Sequence, residues 1–204
     1  MKKDNTLEKI TKAIESEIEA FGEVIDVSKF KELQKQLEKY LIRDALTLAL
    51  NRWKFEEVLK REIKRSKDSG HPLFLLMLDI DNFKIMNDNF GHNYGHDVLR
   101  KIAWALEYIA EETIGKSHRF GRWGGEEFLY IFPSAKHKEA KEASNALMEK
   151  LEDDYMNHLL HCRVGVSVGI ANLKKSDDHK TFIKRADKAM YRAKKHGNRV
   201  CISR

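Results

Sequence analysis

The chain has 204 residues, of which 42% are hydrophobic and only two are prolines, so it can bury one sizeable core and carry an appendage. Its formal net charge of +6 suits an anionic ligand such as a nucleotide. This is weak evidence for a ligand, because most charged residues of a protein lie on solvent-exposed faces. Cys162 and Cys201 lack metal-ligand spacing, and no run of about 18 apolar residues occurs, so we expect a cytoplasmic protein without direct membrane insertion.

Residues 1–42 predict a helical segment that is separate from the rest of the chain. Apolar residues recur at steps of three and four over residues 7–21 and again over residues 30–41, with Gly22 between them. A stripe this narrow is typical of a coiled coil, so we expect a dimerising stalk. The alternative is that the stripe packs on the chain's own domain. A single catalytic-sized domain is expected over residues 43–204.

The start of this domain predicts a helix followed by a buried strand. The segment 44–52 breaks the helical pattern, and an amphipathic helix is predicted over residues 53–66, with Gly70 and Pro72 ending it. Residues 73–78 then form a continuous apolar run of strand length. Such a run is typical of a central strand that is covered on both faces.

An acidic pair follows this strand. Asp79 lies at the C-terminal end of the strand, and Asp81 follows in a polar segment that is a loop or a helix start. An acid at a strand end beside a helix N-terminus can hold a hard cation while backbone N–H groups face an anion, as Mg²⁺–phosphate chemistry requires. The alternative is that one Asp caps the helix and the other is solvated. A metal role therefore depends on further acids nearby.

A second acidic pair follows a predicted β-hairpin. Two short runs of apolar and aromatic residues flank Gly124 and Gly125, the form of a hairpin whose turn needs a positive φ. Glu126 and Glu127 repel each other on the rim of a hairpin unless a cation or a donor offsets their charge. An ordinary solvated turn is the alternative. Together with Asp79, Glu126 would give two oxygen ligands from different strands at one end of the sheet.

The remaining segments predict further helices and strands. Helices are expected over residues 97–110, 136–151 and 182–195, and strands over residues 163–170 and 199–203. The glycines of the first of these strands permit a close approach of another backbone. No internal repeat or low-complexity segment appears in the sequence.

Several sequence blocks occur in the order that one family uses. They lie at residues 44–52, 79–88, 91–95, 122–128, 167–171 and 186–194. Over residues 43–204 the chain resembles the GGDEF family of diguanylate cyclase domains, in a Gly-Gly-Glu-Glu-Phe variant. The resemblance implies an α/β fold of the α+β type, with a mainly antiparallel central sheet wrapped by helices, as in nucleotide cyclases and polymerase palms. It also implies condensation of two GTP molecules into the bacterial second messenger cyclic di-GMP, with release of two pyrophosphates.

The resemblance also implies which residues form the site. The catalytic acids would be Asp79, Glu126 and Glu127. Mg²⁺ or Mn²⁺ would be bound by these acids and by the carbonyl of Ile80, with Glu127 either a ligand or a group that helps to deprotonate the attacking hydroxyl. The substrate-binding residues would be Asn82, Phe83, Lys84, Asn87, His96, Gly124, Gly125, Lys188 and Arg192.

By the same resemblance, the phosphate contacts form two groups. Main-chain N–H groups of residues 82–84 would cradle the phosphates, and Lys188 and Arg192 would reach them from a late helix. The spacing of four places both cations on one helical face, as an anion site requires, although a solvated basic face is the alternative. Each domain would hold one nucleotide, so catalysis would need two facing sites and therefore a homodimer.

Three positions depart from the family pattern. His96 stands where the family has an Asp that accepts hydrogen bonds from guanine, with Asn87 as the second base contact. A neutral imidazole has only one acceptor nitrogen, so a relaxed-base product is an alternative to strict guanine recognition. Residues 115–118 lack the Arg and the Asp of the family's inhibitory product site, so feedback inhibition there is not expected. Leu48 replaces a Gly, which would alter a turn.

Three classes of function follow from these features. The expected function is an active diguanylate cyclase that uses GTP as its substrate. A nucleotide-binding signalling module without catalysis is a second possibility, motivated by His96. Nucleic-acid binding has only the net charge in its favour, so we expect no nucleic-acid partner. An upstream sensor or regulatory partner is expected as well, although no sensor domain is recognisable before residue 43.

Overall fold

The structure is a computed structural model. It describes Lys12 and residues 41–114, 119–133, 138, 142, 144–146, 148–149, 165–196 and 200–203. The chain divides into two units, Met1–Leu41 and Ile42–Arg204, and every helix and strand named below belongs to the second unit. The predicted stalk, Cys162, the segment 115–118 and most of the helix predicted over residues 136–151 lie outside the described residues.

The described residues form one sheet of five strands. The strands are β1 (Leu73–Ile80), β2 (Arg119–Gly124), β3 (Glu127–Pro133), β4 (Val166–Asn172) and β5 (Val200–Ile202). Their order in the sheet is β2–β3–β1–β4–β5, and all neighbours are antiparallel except β4 and β5, which are parallel. The predicted mainly antiparallel sheet is therefore confirmed.

Four helices of the described part surround this sheet. They are α1 (Arg52–Ser69), α2 (Phe83–Phe90), α3 (His92–Ile114) and α4 (His179–His196). The Asn51 side chain caps α1 by accepting from the Lys54 N–H at 2.9 Å, and Gly70 ends this helix with a φ of 74°. Within the described ranges, no helix combines the length and the apolar character that crossing a bilayer would require.

Strand β1 lies at the centre of the core, and all eight of its residues are buried. The prediction of a strand covered on both faces is thus correct. Its even-numbered residues, from Phe74 to Ile80, pack with residues of α2 and α3, whereas its odd-numbered residues, from Leu73 to Met77, pack with residues of α1 and α4. Because successive side chains alternate between faces, Asp79 lies on the α1 and α4 side of the sheet.

The segment before α1 docks on the edge of the sheet. The Leu50 N–H donates to the Phe120 carbonyl at 3.2 Å, and the Arg122 N–H donates to the Leu50 carbonyl at 2.8 Å, so this segment covers part of the open edge of β2. Leu48 has a φ of 61°, in the left-handed region that favours glycine. The predicted effect of the Leu48 substitution on a turn is therefore a strained backbone at an exposed side chain.

Candidate active site

The strand register brings the predicted acids to one end of the sheet. Asp79 pairs with Glu127 of β3 on one side and with Ser167 of β4 on the other. The Ile80 N–H donates to the Glu126 carbonyl at 3.4 Å, so the hairpin loop lies against the end of β1. Asp79 is only 6% exposed although it is a carboxylic acid. The structure thus places Asp79, Ile80, Glu126 and Glu127 together.

The β2–β3 turn is held in place by Arg122. Gly125 has the predicted positive φ, at 48°, and the strand register shifts between Arg122 and Gly124. Arg122 Nη2 and Nε donate to the Gly125 carbonyl at 2.7 and 3.1 Å, while its Nη1 lies 3.0 Å from Asp44 Oδ1. One guanidinium therefore connects the turn that carries the acids to the segment that precedes α1.

Asp44 is a well-satisfied carboxylate. Its Oδ1 accepts from the Thr47 N–H at 2.9 Å and from Thr47 Oγ1 at 2.7 Å, in addition to Arg122. Burial alone would raise the pKa of Asp44, but the hydrogen bonds from Thr47 and the charge of Arg122 outweigh burial and lower this pKa below its ordinary value. Asp44 therefore stays ionised and serves as a structural joint.

The acids at the end of β1 have the opposite character. Burial is the main cause that raises the pKa of Asp79, and the charges of Glu126 and Asp81 raise it further, while Lys194 opposes them. Burial also raises the pKa of Glu127, followed by the charges of Asp79, Asp187 and Glu126. Negative charges thus outnumber nearby cations. We refer to Asp79, Asp81, Glu126, Glu127 and Asp187 as the acid cluster.

Lys194 of α4 is the cation closest to this cluster among the contacts described. Its Nζ lies 2.6 Å from Asp79 Oδ1, which is the distance of an ion pair. Within the described part of the chain, however, that buried oxygen has no partner with hydrogen-bond geometry. The sequence did not single out Lys194. The available signal was its position one turn after Met190, a core residue of α4, which places both residues on one helical face.

The acid cluster fits a hard divalent cation in its chemistry. Carboxylate oxygens and a backbone carbonyl are the ligands that Mg²⁺ prefers, and a cation would offset the surplus of negative charge. In the part of the chain that the structure describes, no three acidic, His or Cys side chains are arranged as a ready metal site. Oxygen ligands of this kind are nonetheless available from Asp79, the Ile80 carbonyl, Glu126 and Glu127. Lys194 forms an ion pair with Asp79.

The start of α2 provides an anion-binding end next to this cluster. Asn82 precedes the helix with a φ of 58°, and its side chain makes no capping hydrogen bond within the described residues. The first intrahelical bond runs from the Met86 N–H to the Asn82 carbonyl, so the N–H groups before residue 86 have no partner within the helix. Phe83 is buried and anchors the turn, whereas Asn82 and Lys84 are exposed. This helix end can receive phosphate oxygens.

The predicted base-reading residues lie on α2 and α3. Asn87 Oδ1 is buried and has no hydrogen-bond partner among the described residues. A Cβ on Gly95 would lie 1.9 Å from that oxygen, so Gly95 leaves the space that Asn87 occupies. His96 follows directly and is exposed, while its neighbour Asp97 is exposed and pairs with Arg100. The unpaired Asn87 oxygen thus lies against Gly95, the residue that directly precedes His96.

The two predicted phosphate cations of α4 have different surroundings. Lys188 is exposed. Arg192 is half-buried, and its Nη2 donates to the Ile202 carbonyl of β5 at 2.9 Å. In the described part of the chain, Arg192 contacts β5 and Lys188 faces solvent, so neither observation places these cations on the acid cluster. Lys194 is the α4 cation that contacts the cluster there.

Comparison with known proteins identifies the family. The family model described as diguanylate cyclase, GGDEF domain, matches residues 41–199. The chain belongs to the GGDEF family. A diguanylate cyclase of Vibrio cholerae is 31% identical over 99% of this chain, and the match covers 65% of that relative, somewhat less than two thirds of its length.

Solved GGDEF structures are similar to this chain as well. The coiled coil and GGDEF domain of DgcB from Caulobacter crescentus, in complex with c-di-GMP, has a TM-score of 0.78 at 27% identity over 95% of this chain and 99% of that one. The diguanylate cyclase SiaD from Pseudomonas aeruginosa, in complex with its activator SiaC, has a TM-score of 0.72 at 27% identity, over 98% of this chain and 78% of that one. The predicted fold is confirmed.

Proposed function

We propose that this chain is a diguanylate cyclase that condenses two GTP molecules into one cyclic di-GMP and two pyrophosphates. The observation that carries the proposal is the convergence of Asp79 and Glu127, as direct partners on β1 and β3, with the Glu126 carbonyl bonded to the Ile80 N–H. A buried aspartate and two half-buried glutamates at a sheet end, beside helix N–H groups that have no partner within their helix, suit chemistry on a triphosphate. Membership of the GGDEF family supports the same activity.

The reaction requires two equivalent phosphoryl transfers. The 3′-hydroxyl of one GTP attacks the α-phosphorus of the other, the bond from that phosphorus to the pyrophosphate oxygen breaks, and pyrophosphate leaves. The hydroxyl proton passes to a base, for which Glu127 is the candidate, because a carboxylate with a raised pKa accepts a proton more readily. The second transfer exchanges the roles of the two nucleotides and closes the ring.

The residues of the acid cluster would hold Mg²⁺ or Mn²⁺. Asp79, the Ile80 carbonyl and Glu126 are the proposed ligands, and Glu127 is available as a further one. When bound, the ion neutralises triphosphate charge and polarises the phosphoryl oxygens. The need for such charge follows from the surplus of carboxylates at this end of the sheet.

The nucleotide phosphates would lie against the start of α2 and the β2–β3 turn. The N–H groups of residues 82–84 are the proposed cradle. Gly124 and Gly125 leave open space, since a Cβ on either would meet no atom of the described residues within 4 Å. Lys188 and Arg192 are proposed to reach the phosphates from α4, which requires Arg192 to exchange the Ile202 carbonyl for a phosphate oxygen.

Base recognition is assigned to Asn87 and His96. The buried and unpaired Asn87 Oδ1 supports a donor-rich base edge such as that of guanine. A neutral imidazole at position 96 offers one donor and one acceptor, whereas a carboxylate accepts twice. GTP is the proposed substrate. The second candidate function is a cyclic dinucleotide synthase with relaxed base specificity, because a neutral His96 can hydrogen-bond either a donor or an acceptor on the base.

Catalysis is proposed to occur in a homodimer, because each domain would bring one nucleotide. Residues 1–42 would form the stalk that joins the two copies; the similar structure of DgcB comprises a coiled coil and a GGDEF domain. SiaD was solved with its activator SiaC, which supports an upstream sensor or regulatory partner for this chain too. We place the reaction in the cytoplasm, where GTP is available.

The experiment is product analysis at high protein concentration. The chain is incubated with Mg²⁺ and either GTP, ATP or their mixture, and products are identified by chromatography and mass spectrometry. Cyclic di-GMP from GTP alone is expected, and Glu126→Gln serves as the matched inactive control. A mixed-base product would favour the second candidate. GTP binding by calorimetry without any cyclic dinucleotide would contradict the enzyme and indicate a non-catalytic signalling module.

A further inference from the structure

Lys194 reaches the acid cluster because α4 is seated directly on the sheet. A Cβ on Gly169 of β4 would lie 2.2 Å from both the Ala186 carbonyl oxygen and the Met190 nitrogen, so the helix backbone touches the strand backbone there. Met190 is buried in this contact, and Lys194 follows one turn later on the same face. The direction of Lys194 toward Asp79 is therefore fixed by backbone packing.

The contact between Lys194 and Asp79 differs from a finished structural ion pair. The Lys194 side chain is 35% exposed, whereas that of Asp79 is 9% exposed, so the charge that solvent cannot reach is the carboxylate. The buried Oδ1 lies 2.6 Å from the ammonium, yet it lacks a partner with hydrogen-bond geometry in the described part of the chain. Lysine has a flexible stem, so it can leave the carboxylate without moving α4.

We propose that Lys194 is a positioning residue that occupies Asp79 in place of the divalent cation and leaves it when the cation binds. This inference rests on the metal site of the proposed function. An ammonium 2.6 Å from Asp79 Oδ1 repels a divalent ion that binds the same carboxylate, so each cation weakens the binding of the other. Lys194 therefore stabilises the metal-free domain and competes with the metal for Asp79. The net effect is a cation affinity lower than the acids alone would give.

The test is a Mn²⁺ titration followed by electron paramagnetic resonance, combined with thermal unfolding in EDTA. Lys194→Met keeps the length of the side chain and removes the ammonium. We expect it to tighten Mn²⁺ binding about fivefold, at the low end of typical coupling between sites. In EDTA, its Tm should fall by several degrees, because a buried carboxylate loses its partner. If Lys194 had a merely structural role, its replacement by Met would not tighten Mn²⁺ binding.

Lys195→Met is the matched control. Lys195 is the next residue of α4, it is exposed, and its Nζ lies 5.0 Å from the centroid of the Tyr191 ring rather than on the acid cluster. The Lys195→Met variant loses the same charge as Lys194→Met but no contact with the acid cluster. Its Mn²⁺ affinity and its Tm in EDTA should therefore stay near the wild-type values. If Lys194→Met does not fold, Lys194→Gln removes the charge while keeping a donor for Asp79, and the same tightening is expected.

Asp79→Asn separates the two ways in which the idea can fail. If this variant binds Mn²⁺ as well as the wild type, the proposed metal site is wrong, and the inference on Lys194 is overturned with it. If Asp79→Asn loses Mn²⁺ binding while Lys194→Met and Lys195→Met behave alike, the metal site stands and the role of Lys194 alone is overturned. Tighter binding in Lys194→Met alone, with a lower Tm in EDTA, supports the inference.

Discussion

Two aspartates of this chain each contact a basic side chain, and they differ in almost every other respect. Asp44 meets Arg122 and Thr47, and these hydrogen bonds lower its pKa even though burial acts against them. Asp79 meets Lys194, but burial and the neighbouring carboxylates Glu126 and Asp81 raise its pKa nonetheless. Deeper burial and neighbouring acids raise the pKa of Asp79, whereas Asp44 is less buried and has enough donors to lower its pKa.

This difference separates a structural joint from a chemical site. The Asp44–Arg122 joint is complete, and it fixes the turn that carries Glu126 through the Gly125 carbonyl. The acid cluster around Asp79 is incomplete, because its surplus negative charge is unfavourable for the folded metal-free state. Strained electrostatics of this kind concentrate at functional sites. Each variant below should affect one of these regions and leave the other largely intact.

The largest effect is expected on catalysis. Asp79→Asn should lower kcat by about 10²- to 10³-fold, the loss typical of removing one group that stabilises the transition state. Asp44→Asn should retain most of the wild-type kcat at temperatures where it is folded, because Arg122 still holds the Gly125 carbonyl. Cyclic dinucleotide formation measured by chromatography compares them. Equal losses in both variants would contradict the division into joint and site.

Gly169→Ala should have the largest effect on stability. The added Cβ would lie 2.2 Å from backbone atoms of α4, which cannot move as a flexible side chain can. We expect a loss of about 2–3 kcal/mol in the free energy of unfolding. Gly124→Ala is the control, since its Cβ would meet no described atom within 4 Å and should change stability by less than about 0.5 kcal/mol. Chemical denaturation measures both, and equal stability would refute the seating of α4.

Asp44→Asn should destabilise the domain by about 1.5–2 kcal/mol at neutral pH, the low end of the range for hydrogen bonds to a charged group. The pKa of Asp44 is lowered in the folded state, so its stabilisation is present above the ordinary value of 3.8 and is lost as the pH falls through the folded value. The difference in stability between wild type and variant should therefore shrink below about pH 4. A difference that is constant with pH would contradict the assigned role.

Glu127→Gln should raise the stability of the domain at neutral pH, whereas Asp44→Asn lowers it. The pKa of Glu127 is raised in the folded state, so its ionised form is less favourable there, and stability is lost as the pH rises through the folded value. In EDTA at neutral pH, we expect the variant to gain no more than about 0.5 kcal/mol, or roughly 1–2 °C in Tm, because solvent screens part of the repulsion at this half-buried side chain. This gain should disappear near the ordinary value of 4.5. A loss of stability at neutral pH would mean that Glu127 is not crowded by other acids.

An equally small effect is expected at Leu48, which lies in the turn of the Asp44 joint and donates its N–H to the Asp44 carbonyl at 2.9 Å. Its φ of 61° costs a residue with a Cβ about 1–2 kcal/mol, whereas glycine loses roughly 0.5–1 kcal/mol more chain entropy on folding. Leu48→Gly should therefore raise stability by about 0.5 kcal/mol. Leu48→Ala keeps the Cβ and should give no gain. Thermal unfolding of the two variants side by side checks this, and equal stability would exclude backbone strain.

The sequence was most informative where the structure depends on local patterns. The apolar run before Asp79 predicted the central strand, and Gly124 with Gly125 predicted the turn, because strand burial and turn conformation are properties of short segments. The start of α3 was predicted five residues late: this helix begins at His92 and includes Gly95, where a Cβ would collide with Asn87. A glycine that serves packing inside a helix resembles a helix break in the sequence.

Other features of the site depend on contacts between distant segments. Lys194 meets Asp79 only because α4 packs on Gly169, and the Asp44–Arg122 pair joins residues that are 78 positions apart. The helical spacing of Lys194 from Met190 indicates its face of α4 but not its partner, and no local pattern links Asp44 with Arg122. The roles assigned to Asn87, His96, Lys188 and Arg192 came from the family resemblance, and they stay predictions. The predicted stalk and the absence of an inhibitory site at residues 115–118 concern segments outside the described part of the chain.

The most direct test of the central claim is the anomalous scattering of Mn²⁺ in crystals grown with a non-hydrolysable GTP analogue. We predict an anomalous peak within coordination distance of the Asp79 and Glu126 carboxylates, with the ammonium of Lys194 no longer on Asp79 Oδ1. If the analogue is bound while Lys194 remains on Asp79 and Mn²⁺ lies elsewhere, the acid cluster does not hold the catalytic cation and this account is contradicted.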